Sequence, residues 1–244
     1  MRLWGPHEVG GVEARPQRLL KWGAIIVAAG RGTRFGRPKQ LIPIGGKPML
    51  TWSASVFAAM PEVVQIVVTT EREWLDEVGQ ALSDAGVSCR VVPGGATRQA
   101  SVFEGLTALD DAIEAAFVHD GARPFVTSEL VRAGMAPVAP GHASLLTIPV
   151  VDTIKVVNPE TSIVESTPER SRLWAAQTPQ FAMRADLLAA HEAGIRDGID
   201  ATDDAMLLER AGFRVHAVPG SPENFKVTLP EDLARAEQLV RERV

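Results

Sequence analysis

Apolar residues fall into two rhythms along the chain. Short β-branched runs at 24–28 (AIIVA), 63–69 (VVQIVVT), 87–92 (VSCRVV) and 115–119 (AAFVH) predict buried strands. Between them, Met49, Trp52, Val56, Phe57 and Met60 recur at helical spacing, with Pro48 suited to a first turn. The stretch 72–86 (REWLDEVGQALSDAG) predicts a second helix closed by Gly86, and 97–110 a third. This βαβαβαβ succession predicts an α/β fold: one doubly wound, mostly parallel sheet covered on both faces.

The rhythm changes after Asp120. A strand is predicted at 143–150, but 152–181 offers no helical period. It alternates β-branched residues with turn signals at Asn158-Pro159 and Thr167-Pro168. The pattern predicts a hairpin arm at about 154–177 that leaves the sheet. A lone hairpin is marginal in water, so the arm is expected to bury itself against a second subunit as a homodimer. Helices at 184–193 and 203–211, strands at 214–218 and 225–228, and a helix from Pro230 complete a single domain over 21–244. Residues 1–20 read as a disordered extension outside it.

Composition narrows the function. The 244 residues are 45% hydrophobic and 23% charged, with a net charge of -5. That balance leaves no global attraction for nucleic acid or an anionic membrane, so any anion site is local. The single cysteine, Cys89, excludes a disulfide framework and a multi-cysteine zinc site. No run approaches the roughly 18 apolar residues of a membrane span. The first twenty residues lack the apolar core of a signal peptide, so a cytoplasmic location is expected.

The local anion site announces itself at 28–40, AAGRGTRFGRPKQ, directly after the first strand. Gly30 and Gly32 fit the start of a dinucleotide fingerprint, but Gly36 falls one place late for GxGxxG. No register supplies GxxxxGK[ST], and the displaced glycine disfavours a nicotinamide-dependent dehydrogenase. The physics is nonetheless that of a phosphate cradle: glycines admit backbone N–H groups to phosphate oxygens, and Arg34 and Lys39 add full charges. The plainer alternative is a solvated βα loop whose cations face water.

This loop resembles the signature of nucleotidyltransferases with a glycosyltransferase-A-like Rossmann core. Six further segments, GGATRQASV, VHDGARPFV, IPVVDTIK, RLWAAQTPQF, ATDDAMLLERAG and ENFKVTLPEDL, occur in the order seen in the 2-C-methyl-D-erythritol 4-phosphate cytidylyltransferase family. The resemblance spans nearly everything from Gly23 to the last helix, with a shorter interval between Arg34 and Lys39 than the family's. It implies transfer of the cytidylyl group of CTP to a polyol phosphate. Ala28, Ala29, Gly30, Gly32, Gly95, Arg98 and Ser101 would bind CTP, and Arg34 and Lys39 would stabilise its phosphates. Arg170, from the partner's arm, and Lys226 would hold the incoming phosphate, in a pocket completed by Arg123, Thr153, Thr178 and Thr202.

The residues themselves admit simpler readings. GGATRQASV would serve as a capped helix start, and Asp120 could form a turn pair with Arg123. Asp120 at a strand exit also suits Mg²⁺, which prefers one or two carboxylates plus substrate phosphates. Thr202 before Asp203 and Asp204 reads as a helix cap. Lys226, in an otherwise buried FKVT strand, needs water or an anion for its head. A ribitol 5-phosphate cytidylyltransferase would need the same cations and metal. A non-catalytic nucleotide-binding regulatory protein is the alternative of a different class.

Overall fold

The computed structural model describes residues 20–30 and 38–243, so Gly32 and Arg34 lie outside the described residues, as do residues 1–19. Leu20 already packs against the core.

In chain order the elements are β1 (Trp22–Val27), the short hairpin β2 (Pro43–Ile44) and β3 (Lys47–Pro48), α1 (Met49–Ala58), β4 (Val63–Thr70), α2 (Leu75–Asp84), β5 (Arg90–Pro93), α3 (Arg98–Thr107) and β6 (Ala115–Asp120). There follow α4 (Ser128–Met135), β7 (His142–Pro149), the hairpin β8 (Val156–Val157) and β9 (Val164–Ser166), β10 (Trp174–Met183), α5 (Arg184–Arg196), α6 (Asp204–Arg210), β11 (Arg214–Pro219) and α7 (Pro230–Arg243).

Seven strands form the central sheet in the order β11-β7-β10-β6-β1-β4-β5. All neighbours are parallel except at β10, which runs antiparallel to both β6 and β7. Strand alternation divides the core, as period-two side chains require. Ala24, Ile26, Val68 and Phe117 join α1, α2 and α4 on one face, where Phe57 meets Phe117 edge-on at 4.9 Å. Ile25, Val67, Ala116 and Val118 join α3, α5 and α6 on the other. The expected sheet, buried on both faces, is the one that forms.

Two expectations are corrected. The segment 174–177, assigned to the arm, is the start of β10, which continues through Met183 as a sheet strand. Its pairing with β7 breaks between Ala176 and Gln180, leaving Gln177, Thr178 and Pro179 out of the ladder. Pro179 has no N–H to give a central strand, and this irregularity is how the sheet accommodates it. The expected strand at 225–228 does not form. The segment is held instead by one backbone bond, Val227 N–H to Ala122 O at 2.8 Å, and by burial of Val227 beside Ala122, Phe125 and α7.

The topology fixes where a ligand can sit. The chain winds from β1 outward through β4 to β5 on one side, and its return strand β6 lies on the other side of β1. Such a reversal opens a crevice at the carboxyl ends of the strands. Val27 and Asp120 are register partners at that end, so the loops after β1 and β6 meet there.

Candidate active site

The larger of two adjoining clefts, about 900 Å³, opens at this switch point. One wall is the loop after β1. Ala28 anchors it by donating to Thr69 O at 2.8 Å, after which Ala29 and Gly30 line the cleft. Lys39 follows on a single 3-10 turn, Lys39–Leu41. Ala28 itself is buried behind the wall with its N–H already engaged, so it does not line the cleft as expected.

The facing wall is the start of α3. Thr97 caps it by accepting from Ala100 N–H at 3.1 Å. Ser101 Oγ accepts from Gly95 N–H at 3.1 Å and donates to Thr97 O at 2.8 Å, folding the glycine loop back on the helix. A Cβ on Gly95 would collide with that of Ala100, so the close approach requires glycine. The helix therefore turns its amide end, and its positive dipole, toward the cleft. Glu71 and Glu73, after β4, complete the outer rim.

A smaller cleft of about 250 Å³ lies behind it, lined by Arg123, Gln177, Thr178, Gln180, Thr202 and Asp203. Arg98, Asp120 and Lys226 line both clefts and form the wall between them. The sequence expectations thus fall into two spatial groups. Ala29, Gly30, Lys39, Gly95, Arg98 and Ser101 surround the larger space, and Arg123, Thr178 and Thr202 the smaller. Thr153 and Arg170 are exposed and line neither; Arg170 donates to Val151 O at 2.9 Å.

The shared wall is a chain of alternating charge. Lys226 Nζ reaches Asp120 Oδ2 at 2.8 Å, and Arg98 Nε reaches Asp120 Oδ1 at 3.1 Å. Arg98 Nη2 continues to Asp204 Oδ2 at 2.8 Å, whose Oδ1 lies 3.1 Å from His191 Nε2. Burial pushes the Asp120 carboxyl up, but Arg98 and then Lys226 outweigh it and hold it well below the usual carboxylate range. Burial likewise opposes ionisation of Asp204, and Arg98 overcomes it. On Arg98, burial opposes the charge while Asp204 and Asp120 restore it.

The Asp120–Arg123 turn exists, but in the backbone: Arg123 N–H donates to Asp120 O at 2.9 Å. The Arg123 guanidinium goes elsewhere, donating to Asn224 O at 2.8 Å. Lys226 has its anion, and that anion belongs to Asp120. Thr202 is not the cap of α6; Asp203 is, accepting from Met206 N–H at 2.9 Å, because its carboxylate can reach one residue closer to the helix.

His119 is buried beneath this wall. Its Nε2 lies 2.9 Å from Arg123 O and its Nδ1 3.2 Å from Thr178 Oγ1. A neutral imidazole with its proton on Nε2 satisfies both, donating to the carbonyl and accepting from the hydroxyl. Thr178 Oγ1 in turn accepts from Asp120 N–H at 3.0 Å, so the imidazole fixes Thr178 at the floor of the smaller cleft. Burial lowers the His119 pKa to about 4, which keeps that tautomer neutral.

A glycine-walled cleft with cations, placed at an α/β switch point and backed by a second polar cleft, is an arrangement that suits a nucleotidyltransferase. The family model described as 2-C-methyl-D-erythritol 4-phosphate cytidylyltransferase matches residues 23–242, and the chain belongs to that family. It is 40% identical to the 2-C-methyl-D-erythritol 4-phosphate cytidylyltransferase of Microcystis aeruginosa over 90% of this chain and 99% of that one. The crystal structure of 4-diphosphocytidyl-2C-methyl-D-erythritol synthase from Anaerococcus prevotii superposes with a TM-score of 0.82 at 29% identity, covering 92% of this chain and 100% of that one. The cytidylyltransferase from Thermus thermophilus gives a TM-score of 0.72 at 33% identity, over 89% of this chain and 98% of that one. Among the described residues no helix is long and apolar enough to cross a membrane.

Proposed function

We propose that the chain transfers the cytidylyl group of CTP to 2-C-methyl-D-erythritol 4-phosphate, yielding 4-diphosphocytidyl-2-C-methyl-D-erythritol and pyrophosphate in isoprenoid precursor synthesis. The observation that carries this reading, beside family membership, is the pair of clefts sharing one wall of opposed charges. CTP takes the larger cleft and the sugar-alcohol phosphate the smaller.

A phosphate oxygen of the acceptor attacks the α-phosphorus in line. The new P–O bond forms as the α–β bridging bond breaks, and pyrophosphate leaves with the electron pair. The nucleophile is already anionic near neutral pH, so no strong general base is required. The barrier is the approach of two anions, and preorganised cations lower it. Lys39, with Arg34 from the glycine loop, answers charge on the α-phosphate and on the departing pyrophosphate. Ala29, Gly30 and Gly32 offer the backbone approach to the phosphates, and Gly95 and Ser101 read the cytosine. Lys226 holds the incoming phosphate, and Arg123, Thr178 and Thr202 close its pocket.

Asp120 fits a divalent cation such as Mg²⁺. A carboxylate offers about four lone-pair positions, and Arg98 and Lys226 each engage one oxygen of Asp120. Among the described residues no group of three or more His, Cys, Asp or Glu converges, so substrate phosphates would supply most of the coordination. When bound, the ion neutralises charge on the CTP phosphates.

The arm supports a homodimer. Ile154, Val156, Val157, Ile163 and Val164 are all exposed along it, with Val151 and Trp174 exposed at its base, an apolar surface that a lone hairpin leaves to water. Docked on a second copy, it would carry Arg170 and Thr153 to the partner's smaller cleft. Residues 21–244 would then form one catalytic domain working in the cytoplasm.

The test is phosphorus NMR of CTP incubated with methylerythritol phosphate, Mg²⁺ and the protein. The expected result is a pair of mutually coupled diphosphate signals with free pyrophosphate; unchanged CTP would overturn the reading. Ribitol 5-phosphate as acceptor would demand the same wall, and substituting it in the same tube separates the two. A non-catalytic nucleotide-binding role would leave CTP intact with either acceptor.

A further inference from the structure

Asp204 and His191 have no place in the proposed chemistry, yet they hold the residue that divides the two clefts. Asp204 is 1% exposed and His191 fully buried, and neither lines a cleft. They belong to different helices, α6 and α5, and meet beneath Arg98. A carboxylate taken this far from water is costly unless paired, and apolar residues would serve stability as well or better. The pair therefore invites a reason beyond packing.

We infer that Asp204, steadied by His191, is the positioning residue that fixes Arg98 in the wall between the clefts, and that this placement serves the transfer step rather than the binding of CTP. The inference rests on the nucleotidyl-transfer reading above. A guanidinium is a planar fork, and anchoring it at Nε on Asp120 and at Nη2 on Asp204 prevents rotation of the plane. Its charge then stays at the junction where acceptor and α-phosphate meet. Without Asp204 the fork is free to turn and engage both Asp120 oxygens. It would then cover the lone pairs nearest the phosphates and draw its charge off the junction. The wall would also carry one more unit of net positive charge, which favours bound polyphosphate in the ground state. Turnover and affinity should therefore part company.

The experiment is a double-mutant cycle of Asp204→Asn and Arg98→Lys, reading kcat by pyrophosphate release and CTP affinity by calorimetry. Lysine keeps the charge of Arg98 but cannot span two carboxylates. The D204N variant is expected to lose about ten- to a hundredfold in kcat, the scale of small misplacements at a reacting centre, with CTP affinity unchanged or tighter. On the R98K background the same change should cost no more than about twofold, because Asp204 acts through Arg98. Losses that multiply, or a CTP affinity that falls in step with kcat, would assign Asp204 a merely structural role and overturn the inference. So would a D204N kcat within about threefold of wild type. If D204N does not fold, His191→Gln in the same cycle decides by the same non-additivity. Wild-type protein inactive in this assay would overturn the transfer reading itself, whereas active wild type with an unaffected variant overturns only the positioning role.

Discussion

The wall between the clefts and the arm after β7 carry charge in opposite ways. In the wall, Lys226, Asp120, Arg98 and Asp204 answer one another in sequence, and both aspartates are buried. On the arm, Arg170 donates to the carbonyl of Val151, and exposed valines and isoleucines flank it. The first is finished within one chain; the second leaves its apolar side chains exposed, and in the proposed homodimer they would meet a second copy. The difference separates the part of the proposed site that one chain preorganises from the part that the proposed dimer would complete.

Breaking the wall should have the largest effect. Lys226→Ala is expected to lower kcat about 10²–10³-fold, on the scale of removing one preorganised charge-stabilising donor, with the fold intact by circular dichroism. Arg170→Ala should cost somewhat less, about 10–10²-fold, since it positions rather than completes the wall. The comparison sharpens when the two variants are mixed and allowed to exchange subunits. Activity that neither parent possesses should appear, because each mixed dimer restores one complete site. A mixture no better than its parents would place Arg170 in its own chain's site or in none.

Charging the arm is a milder perturbation of the same kind. Ile163→Asp puts an unpaired carboxylate on an apolar surface, at a side chain that is 64% exposed in the single chain. In an interface it should weaken self-association by about tenfold or more, while the monomer keeps its stability to within about 0.5 kcal/mol. Sedimentation and a urea melt read the two quantities separately.

A further effect, on stability and not on turnover, concerns the support under the wall. Burial holds the His119 pKa at about 4 against an ordinary 6.5, so the unfolded chain binds a proton that the folded one refuses. Stability is complete above the unfolded value and is lost as pH falls through the window from 6.5 toward 4. Between about pH 7 and pH 5 the loss should be about 2 kcal/mol by urea titration. His119→Asn should flatten that dependence; an equal slope in the variant would mean that another group carries it.

The strands around the switch point were legible because their chemistry is local. Runs such as IIV in β1 and IVV in β4 are β-branched and bounded by helical periods, which leaves little choice of element. β10 was not, because Pro179 interrupts it and a register break absorbs the proline, so the segment has the pattern of an arm and a turn. The segment 225–228 failed in the opposite sense: its apolar residues bury themselves in a side cluster without joining a ladder. At the site, Asp120 and Lys226 were visible from their residue types at strand-exit and buried-looking positions. Arg98 was visible as a cation near a helix start and, through the family resemblance, as a CTP contact. Its partner Asp204 is 106 positions away in sequence and looked like half of a helix cap, a role that Asp203 fills. No local signal encodes such a pairing; the nearest hint was two adjacent aspartates where a cap needs one. Gln177 and Gln180 of the smaller cleft were hidden in the misread strand.

The most direct measurement is pyrophosphate release from CTP and Mg²⁺ with methylerythritol phosphate and ribitol phosphate supplied in parallel. Release with methylerythritol phosphate and little with ribitol phosphate is the expected result. Release with ribitol phosphate alone would contradict the assigned acceptor while keeping the wall's chemistry. Release with neither, despite bound CTP, would contradict the transfer itself.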